Sequence, residues 1–338
     1  MSSLAQAVLS GDRLSLARLL TRVENDTTDG REALDVLFAY TGRAHLIGVT
    51  GAPGTGKSSL VTQVALSFRK LDLRVAIVAI DPSSPFTGGA VLGDRVRMRD
   101  LAGDPGVFIR SMASRGSLGG LAQASASVVQ VFDAAGYDVV LIETVGAGQS
   151  EVDIARLAHT TLVVEAPGFG DEIQAIKAGI LEIADILVIN KADRPGVEST
   201  ERALKSMLDL GHPVQKIFQH HGQTLKVEAP AKTVAETALW IPPILRTVAT
   251  DGSGLPGLMD AISAHAAHLR QSGEWRTRER ARLSAEFDLF VQQTLMDRFL
   301  ASLPKTKLDQ IMDSIQKRKL SPREALKVLL RDAKVDHF

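Results

Sequence analysis

The sequence predicts an α/β fold, a doubly wound and mainly parallel sheet, and three observations predict it. Between residues 44 and 262, short runs rich in Val, Ile and Leu alternate with longer helical stretches. The runs are nearly continuous in apolar residues, as strands covered by helices on both faces must be. Residues 51 to 58 read Gly-Ala-Pro-Gly-Thr-Gly-Lys-Ser, a complete GxxxxGK[ST] phosphate loop between one such run and a helical pattern. That strand–loop–helix setting is the context the motif requires. Asn190-Lys191-Ala192-Asp193 closes a later run, at the carboxyl edge where sheets of this class bind ligands. The fold class is that of a P-loop NTPase with N-terminal helices and a C-terminal helical dimerisation extension.

The elements follow in order. Residues 1–43 form an N-terminal helical segment. Asp12 is placed to cap a helix whose Leu16, Leu19, Leu20 and Val23 recur at helical spacing, and Leu34, Leu37 and Phe38 mark a second. Residues 44–262 form the nucleotide-binding domain, with strands expected at 45–49, 74–80, 138–143, 161–165, 185–190 and 215–218. Residues 263–338 carry no strand signal and read as charged helices. Ser321-Pro322-Arg323-Glu324 is a helix start, with Ser as N-cap, Pro at the first helical position and Glu closing a capping box. Leu326, Leu329 and Leu330 then form its apolar stripe. Phe287, Leu289, Phe290, Leu295, Phe299 and Leu300 need a surface to bury against, either the chain's own core or a second copy. A second copy is the favoured reading.

Composition narrows the function classes. The 338 residues allow one large α/β domain with additions, or two domains. Lys plus Arg equals Asp plus Glu at 39 each, so no net charge points to nucleic acid or an anionic membrane. Arg276 to Arg282 is interleaved with Glu274, Glu279 and Glu286 and reads as a solvated helix face. There is no cysteine, which excludes disulfides, thiolate metal sites and thiol nucleophiles. No basic and apolar leader precedes the first helix, and no uncharged stretch is long enough to span a bilayer. A cytoplasmic location is expected. Trp240 and Trp275 read as core or interface anchors.

The phosphate loop states the chemistry. Gly51, Gly54 and Gly56 let consecutive backbone N–H groups turn inward, and the N-terminus of the following helix adds its positive dipole end. Ala52, Pro53, Thr55 and Ser59 complete the cradle. Lys57 is expected to reach the β- and γ-phosphates, and the Ser58 hydroxyl to ligate Mg²⁺. In the NKxD element, Asn190, Lys191 and Asp193 suit guanine, because a carboxylate accepts two hydrogen bonds from its N1 and exocyclic N2. Adenine offers neither donor, so GTP is favoured over ATP. Thr247-Val248-Ala249, after the apolar run Pro243-Ile244-Leu245, is expected to supply a backbone amide to guanine O6.

Glu143-Thr144-Val145-Gly146 ends a strand where an acidic residue holds the Mg²⁺ shell and Gly146 offers its N–H to the γ-phosphate. Glutamate is a longer lever than aspartate there, which favours contact through water. Ala147 follows Gly146, in place of a glutamine that orients attacking water, so unassisted hydrolysis is expected to be slow. Upstream, Asp81 ends a strand in Asp81-Pro82-Ser83-Ser84, and Asp94 follows the Gly-rich stretch Thr87-Gly88-Gly89. Loops of that kind order around γ-phosphate and Mg²⁺ in switching GTPases.

These segments resemble the methylmalonyl-CoA mutase-associated G proteins, the MeaB/ArgK group. The run from Asp81-Pro82-Ser83-Ser84 through Leu92-Gly93-Asp94 to Arg97-Met98 is similar to that family's first switch. Glu143 to Glu151 is similar to its second, and Pro167-Gly168-Phe169-Gly170-Asp171-Glu172 through Lys177 resembles a further switch segment. The resemblance spans roughly residues 40 to 260. It implies a GTPase chaperone that gates cofactor loading of an adenosylcobalamin-dependent acyl-CoA mutase and protects or reactivates it. It also implies a homodimer through the C-terminal helices, with no nucleic-acid or membrane partner. By match to the motifs, Asp94 is implied as a Mg²⁺ ligand, with Asp81 and Glu143 supporting metal and water. Asp171 and Lys177 are implied to communicate with the mutase and complete the hydrolytic site. Ala90-Val91 and Arg95-Val96 depart from the family's usual pairs, and Phe169 enlarges a position usually small, so the client need not be methylmalonyl-CoA mutase.

Two rivals are weaker. A nickel-insertion GTPase needs Cys or clustered His ligands, and only His220-His221 stand close together, in a polar stretch. A protein kinase or transport-associated ATPase of the ArgK type conflicts with the guanine-selecting NKxD element.

Overall fold

The computed structural model describes residues 3–82, 98–101, 103–114, 120–144, 150–168, 182–210, 219–220, 223–224 and 239–332. Three N-terminal helices come first: α1 (Ser3–Leu9), α2 (Arg13–Glu24) and α3 (Thr28–Leu37). Asp12 caps α2, accepting from the Leu14 and Ser15 amides, and Leu16, Leu19, Leu20 and Val23 are buried on its inner face. Leu37 is buried at the end of α3, whereas Phe38 lies beyond it and is 52% exposed. Thr27, missed in the sequence, caps α3 through Gly30.

The sheet holds seven strands, all parallel, in the order β3-β2-β4-β1-β5-β6-β9. They are β1 (His45–Thr50), β2 (Val75–Pro82), β3 (Val107–Ser114), β4 (Val139–Thr144), β5 (Thr160–Glu165), β6 (Ile186–Ile189) and β9 (Ile244–Arg246). A separate antiparallel ribbon pairs β7 (Gln219–His220) with β8 (Gln223–Thr224). Every residue of β1, β4, β5 and β6 is buried, which explains their unbroken apolar character. Strands β3 and β9 were not anticipated. Both lie at sheet edges, where half the surface needs no apolar cover, and β3 carries Arg110 and Ser111. The strand expected at 215–218 lies outside the described residues.

Helices cover both faces. On one, α4 (Lys57–Lys70) and α8 (Leu255–Ser272) pack Leu60, Val61, Val64, Leu258 and Ile262 against Ile47, Val49, Ile77 and Leu141. On the other, α5 (Gly120–Ala134) and α6 (Ser150–Leu157) join α1–α3 over Leu46, Val78, Val140 and Ile142. Helix α7 (Val197–Leu210) lies along β6. The N-terminal helices therefore share the sheet's core, and Asp133 of α5 fixes their exit by accepting from the amides of Gly42, Arg43 and Ala44.

The chain divides into two compact units, Met1–Arg282 and Leu283–Phe338. The sequence reading set its last division at 262/263, inside α8. That helix buries Leu255, Leu258, Ile262, Ala266 and Leu269 at helical spacing and belongs to the first unit. Helix α9 (Glu274–Ser302) runs across the division, and α10 (Lys305–Gln316) and α11 (Pro322–Asp332) follow. The capping box opening α11 is formed: the Glu324 amide donates to Ser321 Oγ at 3.3 Å, and the Ser321 amide to Glu324 Oε2 at 3.0 Å. No helix among the described residues is long and apolar enough to cross a membrane.

Arg276 to Arg282 corrects the sequence reading. Arg276 and Arg280 are exposed, but the side chains of Arg278 and Arg282 are only 14% and 10% exposed. Arg278 is paired with buried Asp185 at 2.9 Å, and Arg282 with Glu279 at 2.5 Å. Alternating charge along a helix has the same signature whether the face meets water or buried partners. Both tryptophans are half-buried anchors: Trp240 Nε1 donates to the Asp185 carbonyl at 2.8 Å, and Trp275 stacks on His159 at 3.9 Å.

Candidate functional site

The site is built at the carboxyl edge, where β1 gives way to the phosphate loop. Gly51 takes φ +134°, and a β-carbon there would run into the Val164 carbonyl of β5. Gly56 takes φ +90°, and its β-carbon would stand 2.5 Å from Asn190 Nδ2. Only glycine satisfies both demands at these positions, a left-handed backbone and close approach to a neighbour, the Val164 carbonyl at Gly51 and the Asn190 side chain at Gly56. Helix α4 starts at Lys57 with no side chain capping its first turn. Its leading amides are thus available to an anion, at the end where the helix dipole favours one.

Lys57 is buried within the loop, donating to the carbonyls of Gly51 at 2.7 Å and Ala52 at 2.9 Å. Thr55 Oγ1 donates to the Ala52 carbonyl at 2.9 Å, which tightens the turn around Pro53. Ser58 and Ser59 lie in the first turn of α4. Ser58 Oγ donates to Glu143 Oε1 at 2.6 Å, and Glu143, near the end of β4, is 4% exposed. The hydroxyl thus points its proton at the carboxylate and keeps oxygen lone pairs for a cation. Oxygen donors of this kind suit a hard divalent ion such as Mg²⁺. Thr144 Oγ1 donates to Thr50 Oγ1 at 3.2 Å, tying the ends of β4 and β1 directly beneath the loop.

Asn190 follows β6 and ties three loops together. Its Nδ2 donates to the carbonyls of Thr55 at 2.8 Å and Gly56 at 3.4 Å. Its Oδ1 accepts from Thr247 Oγ1 at 3.2 Å and from the Ala249 amide at 3.1 Å. Lys191 adopts φ +57° and sends Nζ to the Gly54 carbonyl at 2.5 Å. The Ala192 amide donates to the Thr247 carbonyl at 3.0 Å. Asp193, by contrast, is exposed beside the loop. The NKxD element, the phosphate loop and Thr247–Val248–Ala249 thus converge on one edge, as the sequence order implied. One detail was not legible: the Ala249 amide is already given to Asn190, and reaches a base carbonyl only as one branch of a shared bond. The Val248 amide is taken by the Ser253 carbonyl at 2.9 Å.

The remaining sequence-predicted residues fall as follows. Asp81 occupies the penultimate position of β2, in register with Ala113 of β3. Asp94, Gly146, Asp171 and Lys177 lie outside the described residues, as does Gln149. No group of three or more His, Asp or Glu able to hold a metal ion occurs among the described residues.

The family model described as "Methylmalonyl Co-A mutase-associated GTPase MeaB" matches residues 16–303. A protein of Pyrococcus abyssi named as a GTPase is 41% identical over 332 residues, covering 98% of this chain and 96% of its own length. The mouse protein named methylmalonic aciduria type A homolog, mitochondrial, is 29% identical, covering 98% of this chain and 79% of its own. Among solved structures, that of a LAO/AO transport system kinase superposes with a TM-score of 0.69 at 25% identity, covering 98% of this chain and 97% of that one.

Proposed function

The chain belongs to the methylmalonyl-CoA mutase-associated GTPase family, and from that membership we propose that it hydrolyses GTP as a signal controlling an adenosylcobalamin-dependent acyl-CoA mutase. The observation that carries the nucleotide half is the junction at Asn190, which joins the phosphate loop to the loop bearing Ala249. A rigid tie of that kind sets the distance between phosphate cradle and base pocket, which a triphosphate with a defined base requires. The mutase half rests on the family description, supported by the relative named for methylmalonic aciduria.

In this reading Lys57 exchanges the loop carbonyls for the β- and γ-phosphate oxygens when nucleotide enters. The α4 amides and Lys57 then neutralise charge that grows on the transferring phosphoryl group. Ser58 would hold Mg²⁺ through its hydroxyl, the ion would supply neutralisation of phosphate charge, and Glu143 orients that hydroxyl. Asp81 and Asp94 would complete the metal environment, Gly146 would meet the γ-phosphate, and Asp193 would select guanine. Asp171 and Lys177 respond to the mutase. No glutamine follows Gly146, so turnover is slow until the partner orders the site. A kinase reading, suggested by the name of the structural relative, asks for a protein acceptor and has no further support in the residues.

GTP turnover measured alone and with a panel of adenosylcobalamin-dependent acyl-CoA mutases tests both halves, with ATP as the control nucleotide. We expect guanine-selective hydrolysis, stimulated by one mutase. Lys57→Ala should lose one or two charge-assisted bonds of about 1.5–3 kcal/mol each, hence about tenfold or more in nucleotide affinity. Equal turnover of ATP would refute the base assignment, and no stimulation by any mutase would refute the partner.

A further inference from the structure

A second hydrogen-bonded cluster lies at the opposite, amino edge of the sheet, and the phosphate chemistry makes no use of it. Three strands begin there at His45 (β1), Thr160 (β5) and Asp185 (just before β6). The Thr160 hydroxyl stands 2.8 Å from His45 Nε2 and 2.9 Å from His265 Nδ1 of α8, giving its proton to one ring and accepting from the other. Asp185, 1% exposed, accepts from Arg278 of α9 through both oxygens, at 2.9 and 3.0 Å, and from the Thr161 amide at 2.8 Å. His265 Nε2 is 3.5 Å from its Oδ1. Arg278 also donates to the His159 carbonyl at 2.6 Å. The carboxyl ends of the same strands carry the phosphate loop (β1), the Pro167–Gly168 turn (β5) and Asn190 (β6).

Stability alone is a poor explanation for such a cluster, because apolar residues of similar volume in place of a buried ion pair are often as stable or more so. Strand β6 is only four residues long, with Asp185 at one end and Asn190 at the other. At about 3.3 Å per residue the two side chains lie roughly 17 Å apart along one hydrogen-bonded rod. A small slip at Asp185 therefore arrives at Asn190, where four bonds at 2.8 to 3.4 Å hold the nucleotide loops in register.

We infer that Asp185, Thr160, His265 and Arg278 are positioning residues that set guanine-nucleotide affinity from the far edge of the sheet, through β6 and Asn190. This rests on the nucleotide reading above. Because affinity and position are linked, whatever displaces the first turns of α9 also loosens nucleotide, and bound nucleotide in turn holds those turns in place.

The test uses the full chain and a fluorescent GDP analogue, with release rate and Kd measured well below each variant's melting temperature. The double substitution Asp185→Asn with Arg278→Met avoids stranding a buried charge. Thr160→Val removes one hydroxyl at constant shape and decides the matter if the double variant does not fold. Release should be roughly tenfold faster in both, within the usual range of coupling between sites. Arg278→Lys, which keeps the charge but not the paired donors, should fall between them and the parent, while Arg280→Met on the exposed face should match the parent. Release rates within twofold of the parent, together with a lowered melting temperature, would show a role in stability only and overturn the inference. A parent chain that binds no guanine nucleotide would overturn the nucleotide reading and this inference together.

Discussion

Selection of guanine by a carboxylate depends on two acceptors meeting two donors, and Asp193 offers both oxygens from an exposed position. Its backbone is anchored just before it by Lys191, in the left-handed region, and by the Ala192 amide on the Thr247 carbonyl, and just after it by the Arg194 amide on the Lys191 carbonyl. Replacing Asp193 by Asn leaves one acceptor and sets an amide donor against guanine's exocyclic amine. The loss is one charge-assisted bond and one repulsive contact, about 2–4 kcal/mol. Affinity for GTP should fall roughly 30-fold or more. Xanthosine triphosphate, with a carbonyl where guanine carries its amine, should gain affinity in the same variant. Competition binding with GTP, ATP and the xanthine nucleotide checks this, and an unchanged GTP-to-ATP ratio would remove Asp193 from the site. At this scale the sequence was legible in bringing Lys57, Ser58 and Asn190 to one edge of the sheet. It was not legible where a role depends on what happens to lie opposite, as with the Ala249 amide.

Among the elements, the amino edge of the sheet carries the clearest pH signature. Burial, assisted by neighbouring His159, Arg270 and His265 and opposed by Asp185, pushes His45 down to about 3. Burial likewise lowers His159, against the pull of Glu279. The Leu46 amide donates to His159 Nδ1 at 3.1 Å, so the ring is neutral with its proton on Nε2, facing Glu279 Oε2 at 3.2 Å. Burial alone would raise the Glu279 carboxyl, but bonds from His159 and Arg282 hold it at about 2. The signs agree. Below about pH 6.5 the unfolded chain protonates its histidines while the folded chain keeps His45 and His159 neutral. Stability is therefore fully present above that value and falls as pH drops, for His45 by up to about 1.4 kcal/mol per unit toward pH 3, with His159 adding in the same direction. The Glu279 contribution is present above its ordinary 4.5 and is lost as pH falls toward 2. Melting temperature should decline steadily from pH 7 to 4.5, and His45→Gln should flatten the upper part of that decline. A melting temperature independent of pH across the range would contradict it. None of this was visible in the sequence, because His45, His159 and His265 are 220 residues apart at their extremes and meet only when parallel strands align their starts. The core strands were legible through unbroken apolar runs. Edge strands β3 and β9 were not, since an edge relaxes the very pattern by which strands are recognised.

For the whole molecule the open question is what covers α9. Hydrophobic residues fall on opposite sides of it: Phe287, Phe290, Val291 and Leu295 on one, Met296 and Leu300 on the other. No residue of this 29-residue helix is buried, and Phe287 and Met296 are 66% and 57% exposed. Large apolar side chains exposed on two sides of a helix are normally enclosed, and exposed apolar area of this extent marks an interaction surface. A second copy is the simplest cover, since symmetric pairing lets one stripe serve both partners. We expect sedimentation equilibrium to report a dimer, and Phe287→Asp with Leu295→Glu to yield a folded monomer. Intrinsic GTP turnover should survive in that monomer, because every residue assigned to contact nucleotide or metal lies before 263, and the positioning residues His265 and Arg278 precede the substituted stretch. A parent chain that is monomeric at every concentration would leave α9 for the mutase instead. Loss of turnover on monomerisation would mean that the site is completed by the second copy, and the division of labour between nucleotide domain and helical extension would have to be redrawn.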